Sequence, residues 1–188
     1  MSFFSDFISL FYPKTCIVCE CQLLATEQII CTFCRHDLPI IPLGNFDENQ
    51  IKSLFFGRIP IEKAASFLFY TPLGATKKMI HALKYQGRQD IGVFLGNWFG
   101  NRLKLTNHFN TIEYVIPVPL HQEKLKSRGY NQLTQFGIQL SHQLQTKYLE
   151  KVIVKNSNTK TQKYKSRHER FAILDSVFYL TDDLIFEN

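Results

Sequence analysis

The chain has 188 residues, enough for one domain of ordinary size plus a small appendage. Hydrophobic residues at 45% and charged residues at 20% exclude a natively disordered composition, and no run approaches the roughly 20 apolar residues needed to cross a bilayer. The net charge of +6 is unevenly placed: residues 121–170 carry eleven basic and three acidic side chains, or +8, while the last eighteen residues carry four acids and no base. Such a local excess suits either a solvated basic face or a polyanionic ligand such as nucleic acid.

Residues 1–12 place Phe3, Phe4, Phe7, Ile8 and Phe11 on one helical face. They lack a basic leader and contain Asp6, so they read as a short amphipathic helix docked on the body rather than a secretory signal. A cytoplasmic protein is the expectation.

Residues 13–44 contain all five cysteines, within nineteen positions. Cys16-x2-Cys19 and Cys31-x2-Cys34 are two knuckles separated by eleven residues. Each lets two thiolates reach one ion, and together they complete the tetrahedral sulfur shell that zinc prefers. The clustering and the odd count argue for a metal site over a disulfide framework. A four-cysteine zinc ribbon is predicted, structural and with no open coordination position. Cys21 competes with Cys19 for the fourth place, and His36 is a lesser competitor; the x2 spacing favours Cys19.

Pro39, Pro42, Gly44 and Asn45 punctuate the end of that unit, and residues 45–188 form the remainder. Ala64 to Tyr70 reads as a strand, and Gly74 to Tyr85 as a helix with Met79, Ile80 and Leu83 on its apolar face. A second helix follows, with Ile91, Phe94, Leu95, Trp98 and Leu103 buried. Lys84 stands near its neighbour's end and could reach a phosphate.

The most informative stretch is Val115 to Gly137, VIPVPLHQEKLKSRGYNQLTQFG. The β-branched run around Tyr114 to Val118 fits a buried strand, with Pro117 and Pro119 at its exit. Lys124, Lys126 and Arg128 read as a basic loop, Gly129 as a tight turn, and Asn131 as a cap. Leu133, Phe136, Leu140, Leu144 and Tyr148 then fall at helical spacing. Strand, basic loop and helix start is an arrangement that gathers phosphate. Lys151 to Val154 is a further short strand, and residues 155–170, with six basic side chains and one acid, read as a surface loop.

Pro117-Val118-Pro119-Leu120, followed by Arg128-Gly129-Tyr130-Asn131-Gln132, resembles the signature of the ComF family of competence-associated proteins. The resemblance implies an α/β fold: an N-terminal zinc ribbon, then a type I phosphoribosyltransferase-like domain with a parallel sheet flanked by helices. Lys84-Tyr85-x-Gly87 resembles the family's Lys-Tyr element. Thr161, Gln162, Arg167, Arg170 and Phe178 fit its Gln-containing loop, Arg element and strand, with Ile173 where the family has Asn. In type I phosphoribosyltransferases that loop closes over the pyrophosphate, so Arg167 and Arg170 would neutralise leaving-group charge. By resemblance, the phosphate- or nucleic-acid-binding set is Lys84, Lys124, Lys126, Arg128, Gly129, Asn131, Gln132, Gln162, Arg167 and Arg170. The implied process is DNA uptake in natural competence. The implied partners are single-stranded DNA or a phosphoribosyl ligand and competence machinery such as a DNA helicase, with oligomerisation open.

One part of the pattern is missing. Type I phosphoribosyltransferases wrap the 5′-phosphate in a Thr-Gly-rich turn that follows two acids. Asp182-Asp183 offers the acids, but the last glycine is Gly137, so this pair reads as a polar turn ahead of an absent strand. The domain is therefore expected to be C-terminally incomplete. Magnesium with phosphoribosyl pyrophosphate is expected only in a complete family member, and transferase activity is in doubt for this chain alone.

Overall fold

The computed structural model describes residues 11, 13–44, 50–57, 59–155 and 178–181. The expected 1–12 helix, apart from Phe11, therefore lies outside the described residues, as do Thr161, Gln162, Arg167, Arg170, Ile173 and Asp182-Asp183. Phe11 itself is exposed.

The elements run α1 (Thr32–His36), α2 (Gln50–Ser53), α3 (Ala75–Tyr85), α4 (Asp90–Leu105), β1 (Tyr114–Val115), α5 (Gln122–Arg128), α6 (Thr134–Leu144), β2 (Lys147–Tyr148), β3 (Ile153–Lys155) and β4 (Phe178–Leu180). β1 and β2 pair in parallel, Tyr114 opposite Lys147 and Val115 opposite Tyr148. β3 and β4 pair antiparallel, from Ile153 opposite Leu180 to Lys155 opposite Phe178. The chain is thus a mixed helix and strand fold with a small parallel sheet.

The centre is the crossing of α4 and α6. Gly92, Gly96 and Gly100 recur every fourth residue on α4, and each turns its missing side chain towards α6. Their lack of Cβ atoms lets the two backbones approach closely. Ile91, Leu95, Phe99 and Leu103 fill the neighbouring stripe with Met79, Ala82 and Leu83 of α3. Ile29, Ile30 and Leu38 from the cysteine-bearing segment belong to the same buried cluster, so that segment shares the core.

Four sequence expectations change. Ala64 to Tyr70 forms only one bridge, Ile40 to Leu68, with Ile41 N–H bonding the Phe67 carbonyl at 2.9 Å and Phe69 N–H the Pro39 carbonyl at 2.9 Å. Phe67 then inserts inward, stacked on Phe99 at 5.1 Å between ring centroids. The basic stretch after Pro119 is helix α5 rather than a loop. Tyr148 leaves the helical stripe because Gln145 takes a left-handed conformation (φ 58°), and Thr146 N–H closes back on the Ser141 carbonyl at 3.0 Å. The short strand after it begins at Ile153 rather than Lys151. Trp98 is half-buried at the edge of the core, its ring 5.2 Å from Phe67 and edge-on to it.

Candidate metal centre and phosphate cleft

The four knuckle cysteines converge. The Sγ atoms of Cys16, Cys19, Cys31 and Cys34 all lie within 4.8 Å of one another, and Cys19 and Cys31 are 3.6 Å apart. Zn–S bonds of about 2.3 Å in a tetrahedron put sulfurs about 3.8 Å apart, so the set could hold a metal ion such as zinc. Local backbone builds this convergence. Thr15 bridges Gln22 across the first knuckle, and Cys16 N–H bonds the Cys21 carbonyl at 2.8 Å. In the second knuckle Cys31 is the N-cap of α1, its sulfur accepting from Cys34 N–H at 3.5 Å.

Glu27 ties the two knuckles together. Its carboxylate accepts from Leu24 N–H at 2.8 Å, Thr32 N–H at 2.6 Å and the Thr32 hydroxyl at 2.7 Å, and these bonds hold its pKa below the usual value. Burial pushes the Cys16 thiol up, but amide hydrogen bonds from Cys19, Cys31 and Val18 outweigh it and bring the pKa down to about 6. Burial and the neighbouring sulfurs push Cys34 up. Cys21 is exposed and outside the cluster, its thiol turned to the Cys19 carbonyl at 3.9 Å. His36 is also outside it, exposed and 3.1 Å from the Asp37 carboxylate. Cys19 therefore takes the fourth position.

The basic residues of the central stretch divide into those that face a cleft and those that build it. His121 caps α5 by accepting from Glu123 N–H at 3.3 Å, and Gly129 (φ 81°) ends it, its N–H on the Leu125 carbonyl at 2.7 Å. Between α5 and the end of α3 opens a cavity of about 520 Å³. Lys84 and Tyr85 line one side, and Lys124, Ser127 and Arg128 the other, with Glu123 the one carboxylate among the lining residues. The Arg128 guanidinium sits 5.6 Å from the Tyr85 ring centroid and donates to the Gln132 side-chain oxygen. Tyr130 donates its hydroxyl to the Leu83 carbonyl, anchoring α5 to α3.

Asn131 has a positioning part. Its carbonyl oxygen accepts from Leu133 N–H at 3.1 Å, and its amide donates to the Val118 carbonyl at 3.1 Å, joining the strand exit to the start of α6. Lys126 is exposed on the last turn of α5, and Gln132 is engaged with Arg128.

On the far side of α5 lies a second cavity of about 550 Å³, lined by Leu120, Gln122, Leu125, Glu150 and Lys155 among others. Burial and the nearby Lys124 charge both push the Lys155 pKa down, placing another cation at this helix. Sequence reasoning left Lys155 in the surface loop and missed its approach to Lys124; strand β3, which carries it, is only three residues long. No described helix is long and apolar enough to cross a membrane. Comparison with protein-family models, curated proteins and solved structures finds no match to this chain.

Proposed function

We propose that this chain is a ComF-like, phosphoribosyltransferase-related protein that binds a phosphorylated ligand between α3 and α5, in the service of DNA uptake. The observation that carries the reading is the meeting of Lys84, Lys124 and Arg128 around one 520 Å³ cavity just beyond β1. Three cations from two helices suit a ligand that brings several anionic oxygens at once. The lysines act as mobile point charges, while the planar Arg128 fork, stacked near Tyr85 and steadied by Gln132, presents paired donors.

Two further signature residues, Asn131 outside the cavity and Tyr130 on its wall, support the same reading. Asn131 pins the Pro117-Val118-Pro119 exit to α6, and Tyr130 pins α5 to α3, so the cations stand on a braced frame. Zinc on the four cysteines would have a structural part, shaping the segment whose apolar residues join the core. In a phosphoribosyltransferase-like reading the ligand of a complete family member is phosphoribosyl pyrophosphate with magnesium, and its chemistry moves the phosphoribosyl group from pyrophosphate to an acceptor. This chain alone is read as binding the phosphates, not as completing that transfer. A second reading is favoured by the +8 charge of residues 121–170: the same cations grip the backbone of single-stranded DNA.

Titration of phosphoribosyl pyrophosphate with magnesium, and separately of fluorescent single-stranded DNA at two salt concentrations, separates them. The enzyme-like reading expects magnesium-dependent binding that falls at least tenfold in Arg128→Ala. The DNA reading expects a steep loss of affinity with salt. Neither ligand binding the zinc-loaded chain would overturn both.

A further inference from the structure

A second basic cavity, distinct from the one between α3 and α5, lies between the first cysteine knuckle and α3, with a volume of about 430 Å³. Lys77, Lys78 and the His81 imidazole of α3, with Arg88 just beyond it, line its basic side. Lys77 and His81 are four residues apart and so share one face of the helix. Two of the four groups have local work. Lys78 donates to the Val18 carbonyl in the knuckle, and Arg88 is paired with the Asp90 carboxylate at 2.8 Å. The Lys77 ammonium has no hydrogen-bond or ion-pair partner among the described residues, and the His81 ring rests only on Tyr85, 4.9 Å between centroids. Glu20 is the single carboxylate on the cavity wall and forms no ion pair with them among the described residues.

No acid stands in the first turn of α3, and lysines there oppose the helix dipole. The Val18 carbonyl occupies Lys78, whereas no described group occupies the Lys77 ammonium. Apolar side chains complete the lining: Ile17 of the knuckle is half-buried, and Leu73, just ahead of α3, is 90% exposed. A ligand matching this lining carries an anionic group and an organic body.

We infer that this cavity binds a phosphate ester, its phosphate between Lys77, His81 and Arg88 and its organic part against Ile17 and Leu73. The inference does not rest on the function proposed above, since none of these residues lines the α3–α5 cleft. Two sources share this chemistry, a free nucleotide and the backbone of a nucleic-acid strand.

His81 is a local reporter. Thymidine monophosphate and an octathymidylate would each be titrated into the full-length, zinc-loaded chain while the His81 imidazole resonances are followed by NMR. Binding would be measured in parallel by calorimetry. The expected result is a saturable His81 shift, retained in Arg128→Ala with the monophosphate, and at least a fivefold loss of affinity for the ligand concerned in Lys77→Ala/His81→Ala. A shift with the monophosphate assigns a free ester; a shift with the octathymidylate alone assigns a strand. No His81 shift with either probe at millimolar concentration in the wild-type chain overturns the inference, whatever the double variant does. Failure of the α3–α5 reading would instead show as no effect of Arg128→Ala on either ligand of that cleft.

Discussion

Gly96 of α4 faces the Phe136 carbonyl of α6 so closely that a Cβ built on the glycine would lie 2.6 Å from that oxygen and 3.1 Å from the Phe136 Cα. Both are backbone atoms, which cannot swing aside, so an added methyl must push the helices apart. Overpacking of this kind costs about 1–3 kcal/mol. Gly96→Ala should lower the unfolding free energy by that amount, read as a lower urea midpoint, and loosen the Phe99–Phe136 stack, now 6.3 Å between centroids. Gly44→Ala is the matched control, because nothing lies within 4 Å of its Cβ position, and it should leave the midpoint unchanged. Equal effects from the two substitutions would refute the close-packing account.

Asn131 separates building the cleft from binding in it. Asn131→Asp keeps an oxygen to accept from Leu133 N–H but replaces the amide that donates to the Val118 carbonyl, leaving acceptor against acceptor. Asn131→Ala loses both bonds. A net intramolecular hydrogen bond is worth about 0.5–1.5 kcal/mol, so the alanine variant, which loses two, should be destabilised by about 1–2 kcal/mol. The aspartate variant should also be destabilised relative to the wild type, because its turn ahead of α6, where Leu133 is the N-cap, survives while the tie to the strand exit does not. Thermal unfolding of the three proteins at one zinc concentration checks this. An aspartate variant as stable as the wild type would remove the Val118 bond from the account.

The same stretch shows what a sequence makes legible. The two knuckles could be read because thiol spacing is itself the geometry: the x2 intervals that predicted Cys16, Cys19, Cys31 and Cys34 bring those four sulfurs together. The helices ending at Tyr85 and Leu105 could be read because their apolar residues repeat with the helical period and are buried. Helix α5 could not, since Gln122–Arg128 has one apolar residue, Leu125, and no stripe. Its ends define it instead, His121 as cap and Gly129 in the left-handed region. Tyr148 misled for the opposite reason: its spacing continues the α6 stripe, yet the left-handed turn at Gln145 sends it into β2, where its ring lies against Gly137. Residues 64–70 have strand composition, but tertiary packing used Phe67 as a core plug and left a single bridge. The fourfold spacing of the α4 glycines carries no reading of its own. Which partner they would meet depended on the path of α6.

Proton release should report the state of the cysteine cluster. Four ordinary thiols would release four protons on binding zinc at pH 7. Cys16, with a pKa near 6, is already largely thiolate there, whereas Cys31 and Cys34 are raised and must each give up a proton. Fewer than four protons should therefore be released at pH 7.5. The number should rise by close to one at pH 5, where Cys16 has regained its proton. The sign for the metal-free fold follows the same shift. A folded pKa of about 6 against 9.0 for an ordinary thiol makes the Cys16 thiolate stabilising, in full above pH 9 and lost as pH falls through 6. Calorimetry in buffers of different ionisation enthalpy counts the protons. A release of four at pH 7.5 would contradict a lowered Cys16.

Trp98, the chain's single tryptophan, should report whether the cysteine-bearing segment is docked. The Arg35 guanidinium, on α1 one residue beyond Cys34, stands 4.6 Å from the Trp98 ring centroid on α4. Arg35 reaches that ring only while the second knuckle holds α1 in place. Removing zinc with a chelator should release α1, uncover the indole and shift its emission to longer wavelength. In Arg35→Ala the contact is already absent, so the starting emission should differ from that of the wild type and the chelator-induced change should be smaller. Cation–π pairs at partly exposed sites are worth about 0.5–1 kcal/mol, so Arg35→Ala should lower stability by no more than about 1 kcal/mol and keep one zinc per chain. Cys31→Ser, by contrast, should lose both the metal and the docked emission. If the chelator leaves Trp98 emission unchanged in the wild type, the segment stays docked without its metal, held by contacts such as the packing of Ile29, Ile30 and Leu38 in the shared core.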